Sequence, residues 1–234
     1  MLNKIVLSSL LLSSILMSSP NEIGYDISNE TKVKEGLFIN NNIYRFNKGP
    51  LIEIFYSLEH KGALMVKYKI SNLANKSNPI KKRPSFYTEK LIPKKYRTRN
   101  KDYSSYNAKQ LTNKTKLDKG HMAPHGTFDY DLKLLRKTYT LANVVPQYPS
   151  VNRHLWIKAE KFERELASFV PNLTVTNIIK YRNKPNKMGD ISIPYKFYKI
   201  ISDGTFRVIF SYENNPDTIY KKDKLFSHIV TEIK

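Results

Sequence analysis

The segment from Val151 to Phe169 constrains the fold more than any other part of the chain, because its apolar residues recur at helical spacing. They lie three or four residues apart, as on a helix that packs against a core: Leu155, Ala159, Phe162, Leu166 and Phe169. Pro149 and Ser150 mark the turn into this helix, and Pro171 ends it. The pattern therefore predicts one long helix with a buried face.

A polar stripe runs along the same predicted helix, beside the apolar one. It consists of residues at four-residue steps, each of which advances about 40° around the helix: Asn152, Trp156, Glu160 and Arg164. Since the neighbouring face packs, these side chains are available for binding. The ordinary alternative is that Asn152 satisfies backbone donors at the helix start and Glu160 pairs with Arg164.

Several runs of apolar residues have the spacing of strands. They cover residues 51–56, 64–70, 139–145, 173–181, 195–202 and 205–212. In the second run, one side is predicted to carry Leu64, Val66, Tyr68 and Ile70, and the other Met65, Lys67 and Lys69. The Asp203-Gly204 link predicts a hairpin between the last two runs, and the tail Lys222–Ile233 is interpreted as a short helix. We therefore expect an α+β domain: a central, mainly antiparallel sheet flanked by helices.

Composition narrows the class of partner. The chain has 234 residues and 40% hydrophobic residues, enough for one full core. It has no cysteine, which excludes disulfides and thiolate metal sites. Its formal net charge of +20 attracts polyanions, so nucleic acid or an anionic membrane are the candidate partners. Cations interleaved with tyrosines over residues 76–119 suit a nucleic-acid groove or, equally, a long solvated loop.

The amino terminus resembles an export signal. Lys4 precedes an apolar run from Ile5 to Met17, and small residues follow. We expect residues 1–19 to be a signal peptide, residues 20–48 a partly ordered lead-in and residues 49–234 the functional domain. The protein would then be exported, to the periplasm or out of the cell. An uncleaved membrane anchor is the less favoured alternative, because the run is shorter than the ~20 apolar residues a spanning helix needs.

A second motif, L-D-K-G-H-M-A-P at residues 117–124, carries the candidate chemistry. Phosphodiester hydrolysis requires a base, a cation and donors that hold the phosphate. His121 is the candidate base, since imidazole accepts a proton at neutral pH, and Gly120 before it allows a close backbone approach. Asn152 offers the hard oxygen that magnesium accepts, and Glu160 could accept hydrogen bonds from the metal's waters.

A zinc site is the weaker interpretation of the histidines. His121 and His125 have the i, i+4 spacing of a zinc-binding helix. Pro124 and Gly126 lie beside them, however, and the chain has no H-E-x-x-H pattern.

Three segments together resemble a known family. D-K-G-H-M-A-P, A-N-V-V-P-Q and V-N-R-H-L-W-I-K-A-E, within roughly Arg83 to Leu166, are similar in order and spacing to the DNA/RNA non-specific endonucleases. These are nucleases of the ββα-metal, or His-Me finger, type, to which endonuclease G is similar. The resemblance implies a ββα unit made of the His121 strand, the Tyr139 strand and the Asn152 helix.

The resemblance also implies roles for single residues. His121 would be the general base, and Asn152 the only direct protein ligand of a hydrated magnesium ion, with manganese as an alternative. Glu160 would hold the metal's water shell. The remaining members of the implied site are Asp118 and Asn143, which would arrange it, and Lys119, Arg83 and Arg164, which would contact the phosphate.

The function implied is that of an exported, magnesium-dependent, sugar-non-specific endonuclease that leaves 5′-phosphate ends. Its partners would be double- and single-stranded DNA and RNA, with a homodimer and an inhibitor or immunity protein as further expectations. Lys119 departs from the pattern, because the family usually has arginine there and lysine lacks its planar fork. Two alternatives therefore stay open: a catalytically weakened cationic nucleic-acid-binding protein, for example in DNA uptake, and a secreted nuclease toxin.

Overall fold

A nine-stranded antiparallel sheet forms the frame of the molecule in the computed structural model, which describes residues 30–33, 36–39, 42–75, 79–218 and 229–233. Its strands are β1 Glu30–Val33, β2 Gly36–Ile39, β3 Ile43–Asn47, β4 Ile52–Ser57, β5 Gly62–Lys69, β8 Thr174–Lys180, β11 Lys196–Ser202, β12 Phe206–Glu213 and β13 Ile229–Ile233, in that order across the sheet. Two small ladders complete the strands, β6 Asp118–His121 with β7 Val144–Gln147 and β9 Lys187–Met188 with β10 Ile191–Ser192.

The helices come between β5 and β8 along the chain. They are α1 Asn100–Asn107, α2 His125–Phe128, α3 Leu132–Thr138, a π-helical segment Val151–Trp156 and α4 Ile157–Leu166, which continues it directly. The observed architecture confirms the α+β prediction with a central antiparallel sheet. Among the described residues, no helix has the length and apolar character that crossing a membrane requires.

The sheet extends into the segment that the sequence analysis interprets as a lead-in. β3 begins at Ile43 and pairs with β4, and its residues Tyr44 and Phe46 are buried in the main core. The predicted signal peptide, residues 1–19, lies outside the described residues.

A β-bulge corrects the predicted facing of one strand residue. Phe55 pairs with Met65 but Tyr56 pairs with Ala63, so Leu64 is an extra residue in β5. Val66 and the residues two and four further along pack in the main core, as the alternation predicts. Leu64 was predicted to face the same side, but it packs with Met65 on the opposite face of the sheet.

Two other predicted elements differ from the structure. Residues 139–145 are buried as predicted, yet Leu141–Asn143 is a short 3-10 turn and the strand begins only at Val144. The chain has to turn there because α3 ends at Thr138, immediately before this segment. Residues 229–233 form a strand against β12 rather than part of a tail helix, since the edge of β12 offers unpaired backbone groups.

The predicted helix and hairpin are present, with different ends. The helix runs from Val151 to Leu166, and Phe169 lies beyond it with 83% of its surface exposed, so its predicted place in the core is wrong. The hairpin joins β11 to β12 as predicted. Its turn is longer than two residues, because Ser202 pairs with Arg207, and Gly204 adopts the positive φ of 101° that glycine tolerates.

Helix α4 is joined to the middle of the sheet by a buried ion pair. Lys199 on β11 and Glu163 on α4 are both fully buried, and the lysine Nζ lies 2.5 Å from Oε2 of the glutamate. The hydroxyl of Tyr68 on β5 donates to both carboxylate oxygens at 2.8 Å, and Thr127 Oγ1 donates to Oε1 at 2.9 Å. The carboxylate is therefore satisfied from two strands and from helix α2.

Lys199→Met should destabilise the fold strongly, because it leaves a buried carboxylate without its cation. We expect a loss of about 3–5 kcal/mol in the free energy of unfolding, measured by urea denaturation with the fluorescence of the single tryptophan. Lys69→Met, at an exposed position on β5, is the matched control and should change it by no more than about 0.5 kcal/mol. Glu163→Met/Lys199→Met should lose less than the sum of the two single changes. Equal losses in Lys199→Met and Lys69→Met would contradict the role assigned to the pair.

Candidate active site

The ββα unit forms the core of the site. β6 runs antiparallel to β7, and the chain then turns into the π-helical segment and α4. Gly120 is required in β6, since a Cβ there would lie 2.0 Å from Oε1 of Gln147 on β7. The absence of a side chain at Gly120 thus leaves room for the side chain of Gln147.

Two hydrogen bonds hold the helix along β6. Nδ2 of Asn152 donates to Oδ2 of Asp118 at 3.0 Å, and Nε1 of Trp156 donates to the carbonyl oxygen of His121 at 3.0 Å. Arg153 adds two bonds to the Asp118 carboxylate, at 2.8 and 2.7 Å. These bonds bring the first and last residues of β6 against two successive positions of the predicted polar stripe. Trp156 was predicted to belong to that stripe, but its ring is fully buried and the residue anchors β6.

Asn143 fastens the segment after β6 from the other side. Its Oδ1 accepts from the backbone of Ala123 at 2.8 Å, and its Nδ2 donates to the carbonyls of Ala123 and Thr138. The backbone of Met122 donates to the Asn143 carbonyl. The fully buried amide thus fixes the residues that follow His121.

His121 carries a neutral imidazole packed between aromatic rings. Its ring centroid lies 5.1 Å from that of Phe86 and 4.9 Å from that of Tyr139. Desolvation, together with the nearby His125 and Arg83, lowers its pKa from 6.5 to about 3. Nε2 is buried and has no hydrogen-bond partner within the described ranges. The ring is therefore uncharged at neutral pH, so one of its nitrogens carries an unprotonated lone pair.

Two arginines lie near His121 and its neighbour His125. Arg83 is exposed and close enough to lower the pKa of both His121 and His125. Arg164 also lowers the pKa of His125, and its guanidinium carbon would lie 3.2 Å from a Cβ at Gly126. Nη1 of Arg164 is buried and lacks a hydrogen-bond partner in the part of the chain that the structure describes. Arg83 and Arg164, far apart in sequence, thus both lie near His125.

Glu160 is close to the buried pair of Lys199 and Glu163 and also to Arg164. Burial raises its pKa, Lys199 and Arg164 lower it and Glu163 raises it, and the result is a pKa of about 7. The carboxyl is therefore close to half protonated at neutral pH in the absence of a further cation. A divalent ion nearby would favour its ionised form.

Lys119 is held on the same side of β6 as His121. Its Nζ donates to Oδ1 of Asn100 at 2.8 Å and lies over the rings of Phe86 and Tyr103, 4.9 and 5.7 Å from their centroids. Burial lowers its pKa. The ammonium is thus positioned by one amide and two aromatic faces.

The donor set fits a hydrated hard cation better than a metal held by protein ligands alone. Because Nδ2 of Asn152 is bound to Asp118, its Oδ1 is oriented by that bond, and no described group donates to it. The described residues contain no group of three His, Cys, Asp or Glu side chains that could hold a metal. An amide oxygen supplemented by waters is a ligand set that magnesium accepts.

Sequence reasoning missed several residues that shape the site. Lys199 occupies an inward register position between Phe197 and Ile201, and Glu163 follows the core residue Ala159 by four residues. Two opposite charges at core positions were a readable signal for a buried pair. The contact of His125 with Tyr139, whose hydroxyl is 2.9 Å from Nδ1, has no comparable signal because it depends on tertiary packing.

The chain matches known nucleases in sequence. Residues 34–220 match the family model described as DNA/RNA non-specific endonuclease. The mitochondrial nuclease of Saccharomyces cerevisiae is 27% identical over 156 residues, which are 66% of this chain and 40% of that protein. The mitochondrial endonuclease G of Homo sapiens is 25% identical over 120 residues, 51% of this chain and 37% of that protein. The chain thus spans less than half the length of these relatives.

The fold also matches a solved structure. The crystal structure of the EndoG/EndoGI complex, which concerns the mechanism of EndoG inhibition, aligns with a TM-score of 0.62 over 77% of each chain. At 20% sequence identity, this likeness shows that the fold is shared.

The lowered pKa of His121 gives the folded protein a contribution to stability that is lost in mild acid. Between its ordinary value of 6.5 and about 3, the unfolded chain binds a proton at this histidine that the folded chain does not. His60 and His125, whose pKa values are also lowered by burial, act in the same direction, whereas Glu160 and Asp129, whose pKa values are raised by burial, act in the opposite direction.

We therefore expect the contribution of His121 to the free energy of unfolding to fall as pH decreases from about 6.5 to about 4. Urea denaturation across this range should show that His121→Asn loses less free energy of unfolding on acidification than the wild type does. His154→Asn, at an exposed position, is the control. Parallel curves for the wild type and His121→Asn would show that the folded chain protonates His121 normally.

Proposed function

The chain belongs to the DNA/RNA non-specific endonuclease family, and from that membership we propose that it is a metal-dependent endonuclease that hydrolyses phosphodiester bonds of DNA and RNA. The observation that carries the proposal is the neutral imidazole of His121 beside Arg83, with the guanidinium of Arg164 close to the neighbouring His125. The base has no hydrogen-bond partner among the described residues, and cations lie next to it. This arrangement suits an anionic substrate that is attacked by an activated water.

The proposed reaction assigns each side chain one task. The imidazole of His121 accepts a proton from the attacking water, while Arg83, Arg164 and Lys119 hold the phosphate oxygens. Asn152 would hold the metal through Oδ1, with Glu160 accepting hydrogen bonds from the ion's waters. When bound there, magnesium would neutralise charge on the phosphoryl group and on the leaving 3′ oxygen. Cleavage on that side of phosphorus would leave 5′-phosphate ends.

Substrate breadth follows from the same contacts. Lysine and arginine bind the phosphate groups that DNA and RNA share, whereas base contacts are needed for sequence specificity. Double- and single-stranded forms of both nucleic acids are therefore proposed substrates. The solved EndoG/EndoGI complex concerns inhibition of that nuclease, which makes an inhibitor a proposed partner here as well. A homodimer is also proposed, by resemblance to the family.

We further propose that the protein is exported and acts in the periplasm or outside the cell. The support is the basic Lys4 followed by the apolar run of residues 5–17, with small residues after it. N-terminal sequencing of the mature protein from its native host is the measurement that decides this.

His121→Ala and Asn152→Ala should each abolish most nuclease activity. We expect losses of about 100-fold or more in the cleavage of plasmid DNA and of RNA with magnesium, because the base or the metal ligand is removed. The wild type should become inactive in a chelator, and end-labelling should detect 5′-phosphates. His154→Ala, an exposed histidine in the same π-helical segment, is the matched control and should cleave normally. Undiminished cleavage by His121→Ala would exclude this mechanism.

A second candidate function is a cationic nucleic-acid-binding protein with slow turnover. It is favoured by Lys119, whose ammonium is already engaged with Asn100 and two rings, and which lacks the two-pronged geometry of arginine.

Lys119→Arg should raise the single-turnover cleavage rate if this lysine limits the enzyme. We expect about a tenfold increase, the effect of one charge-assisted hydrogen bond of about 1.4 kcal/mol. Lys119→Gln controls for loss of the charge and should bind nucleic acid more weakly at low salt. Rapid cleavage by the wild type, with no gain in Lys119→Arg, would reject the second candidate.

A further inference from the structure

A cationic cavity lies outside the candidate active site, between the start of α1 and the β9–β10 ladder. It has a volume of about 460 Å³. Five cationic side chains line it together with two acidic ones and one isoleucine: Lys61, Lys94, Lys95, Arg97, Arg99, Asp102, Asp190 and Ile191. No role in the reaction proposed above falls on any of them.

The wall that carries most of these cations is fixed by contacts with distant parts of the chain. Thr98 Oγ1 donates to the carbonyl of Lys61 at 2.8 Å, and the Tyr56 hydroxyl donates to the carbonyl of Tyr96 at 2.9 Å. The guanidinium of Arg97 donates to the carbonyls of Lys90 and Ile92. The backbone around residues 96–98 and the guanidinium of Arg97 are therefore anchored.

The acidic residues of the cavity neutralise only part of its charge. Asp102 accepts from the backbone and guanidinium of Arg99, and Asp190 pairs with Lys61 at 3.1 Å. Within the described ranges, Lys94 and Lys95 make no salt bridge, and Nζ of Lys95 lies over the ring of Tyr96. Both lysines are exposed, so an anion can reach them.

The cavity is connected to the candidate active site through the first residues of α1. Arg99 lines the cavity, and its neighbour Asn100 accepts the hydrogen bond from Nζ of Lys119. The site at Lys119 and the cavity are therefore separated by the two successive residues Arg99 and Asn100 at the start of α1.

We propose that this cavity binds a phosphodiester group of the substrate strand, at a distance from the phosphate that is cleaved. The inference rests on the proposed nuclease function and adds a second phosphate site to it. The chemistry is recognition of a phosphate by an anchored guanidinium and two accessible ammonium groups. Because both sites would hold one strand, the second contact becomes intramolecular and increases affinity only for substrates long enough to span them.

The test compares affinities for a long and a short single-stranded oligonucleotide, of about 16 and about 4 nucleotides. Binding to the full-length protein is measured in a chelator, so that no cleavage is needed. Lys94→Gln/Lys95→Gln is the test variant, because neither side chain makes a salt bridge with a described residue whose loss would disturb the fold. Lys133→Gln/Lys161→Gln, at two exposed positions outside the cavity, is the charge-matched control.

We expect the ratio of long to short affinity to fall about tenfold in the test variant and to stay unchanged in the control variant. The slope of log affinity against log salt for the long strand should become shallower by about 0.7 for each lost contact. An unchanged ratio in Lys94→Gln/Lys95→Gln would overturn the inference. Failure of the wild type to bind either oligonucleotide would instead overturn the proposed function itself.

Chemical acetylation of the wild-type lysines gives a second measurement that needs no variant. The long oligonucleotide should protect Lys94 and Lys95 from the reagent, as read by mass spectrometry, and the short one should not. Inorganic phosphate serves as the probe for a free anion. Equal protection by inorganic phosphate would overturn the strand-binding inference in favour of a site for small phosphates.

Discussion

Lys199 and Glu163 place a full pair of charges between the sheet and helix α4, and the geometry of the candidate site depends on that contact. Desolvating two charges is costly, and it is offset only where the remaining hydrogen-bonding positions are satisfied. Here Tyr68 and Thr127 satisfy the carboxylate, and Nζ of Lys199 also lies 4.8 Å from the ring of Trp156. The same indole holds the backbone of His121. A chain of direct contacts thus leads from the centre of the sheet to the candidate base.

The strand β6 is short and needs this external support. It pairs only with β7 among the described strands, and its two ends are fixed by Asn152 and Trp156 from the helix, while Asn143 fixes the residues that follow. Hydrogen bonds with neutral amide and indole groups hold the Asp118 carboxylate, the His121 carbonyl and the backbone of Ala123 without placing additional charge beside the imidazole. The charge comes instead from Arg83 and from Arg164, close to His125. These groups help to keep the two histidines neutral and, in the proposed function, bind the substrate's phosphate.

The sequence predicts those parts of the structure that are encoded by local periodicity or by a compact motif. The helix from Val151, the β11–β12 hairpin and the antiparallel sheet belong to this group. Leu64 and residues 229–233 do not, because a bulge and an edge pairing are decided by the partner strand. The family motifs indicate which side chains lie around β6, but the contact of His125 with Tyr139 joins residues whose relation appears only after packing. Lys199 and Glu163 were readable as charges at core positions, although their pairing across elements was not.

Recognition of nucleic acid without sequence preference requires cations whose positions are fixed and whose charges are not cancelled within the protein. Arg153 does not meet the second condition, since its guanidinium donates twice to the carboxylate of Asp118. Arg164 meets both: its guanidinium rests against Gly126, and Nη1 has no partner among the described groups. Arg97 meets them by another route, because carbonyl groups orient its guanidinium while leaving its charge intact. The basic residues therefore do not all have the same function. What distinguishes a phosphate-binding cation from a structural one is whether the group that holds it is neutral or acidic.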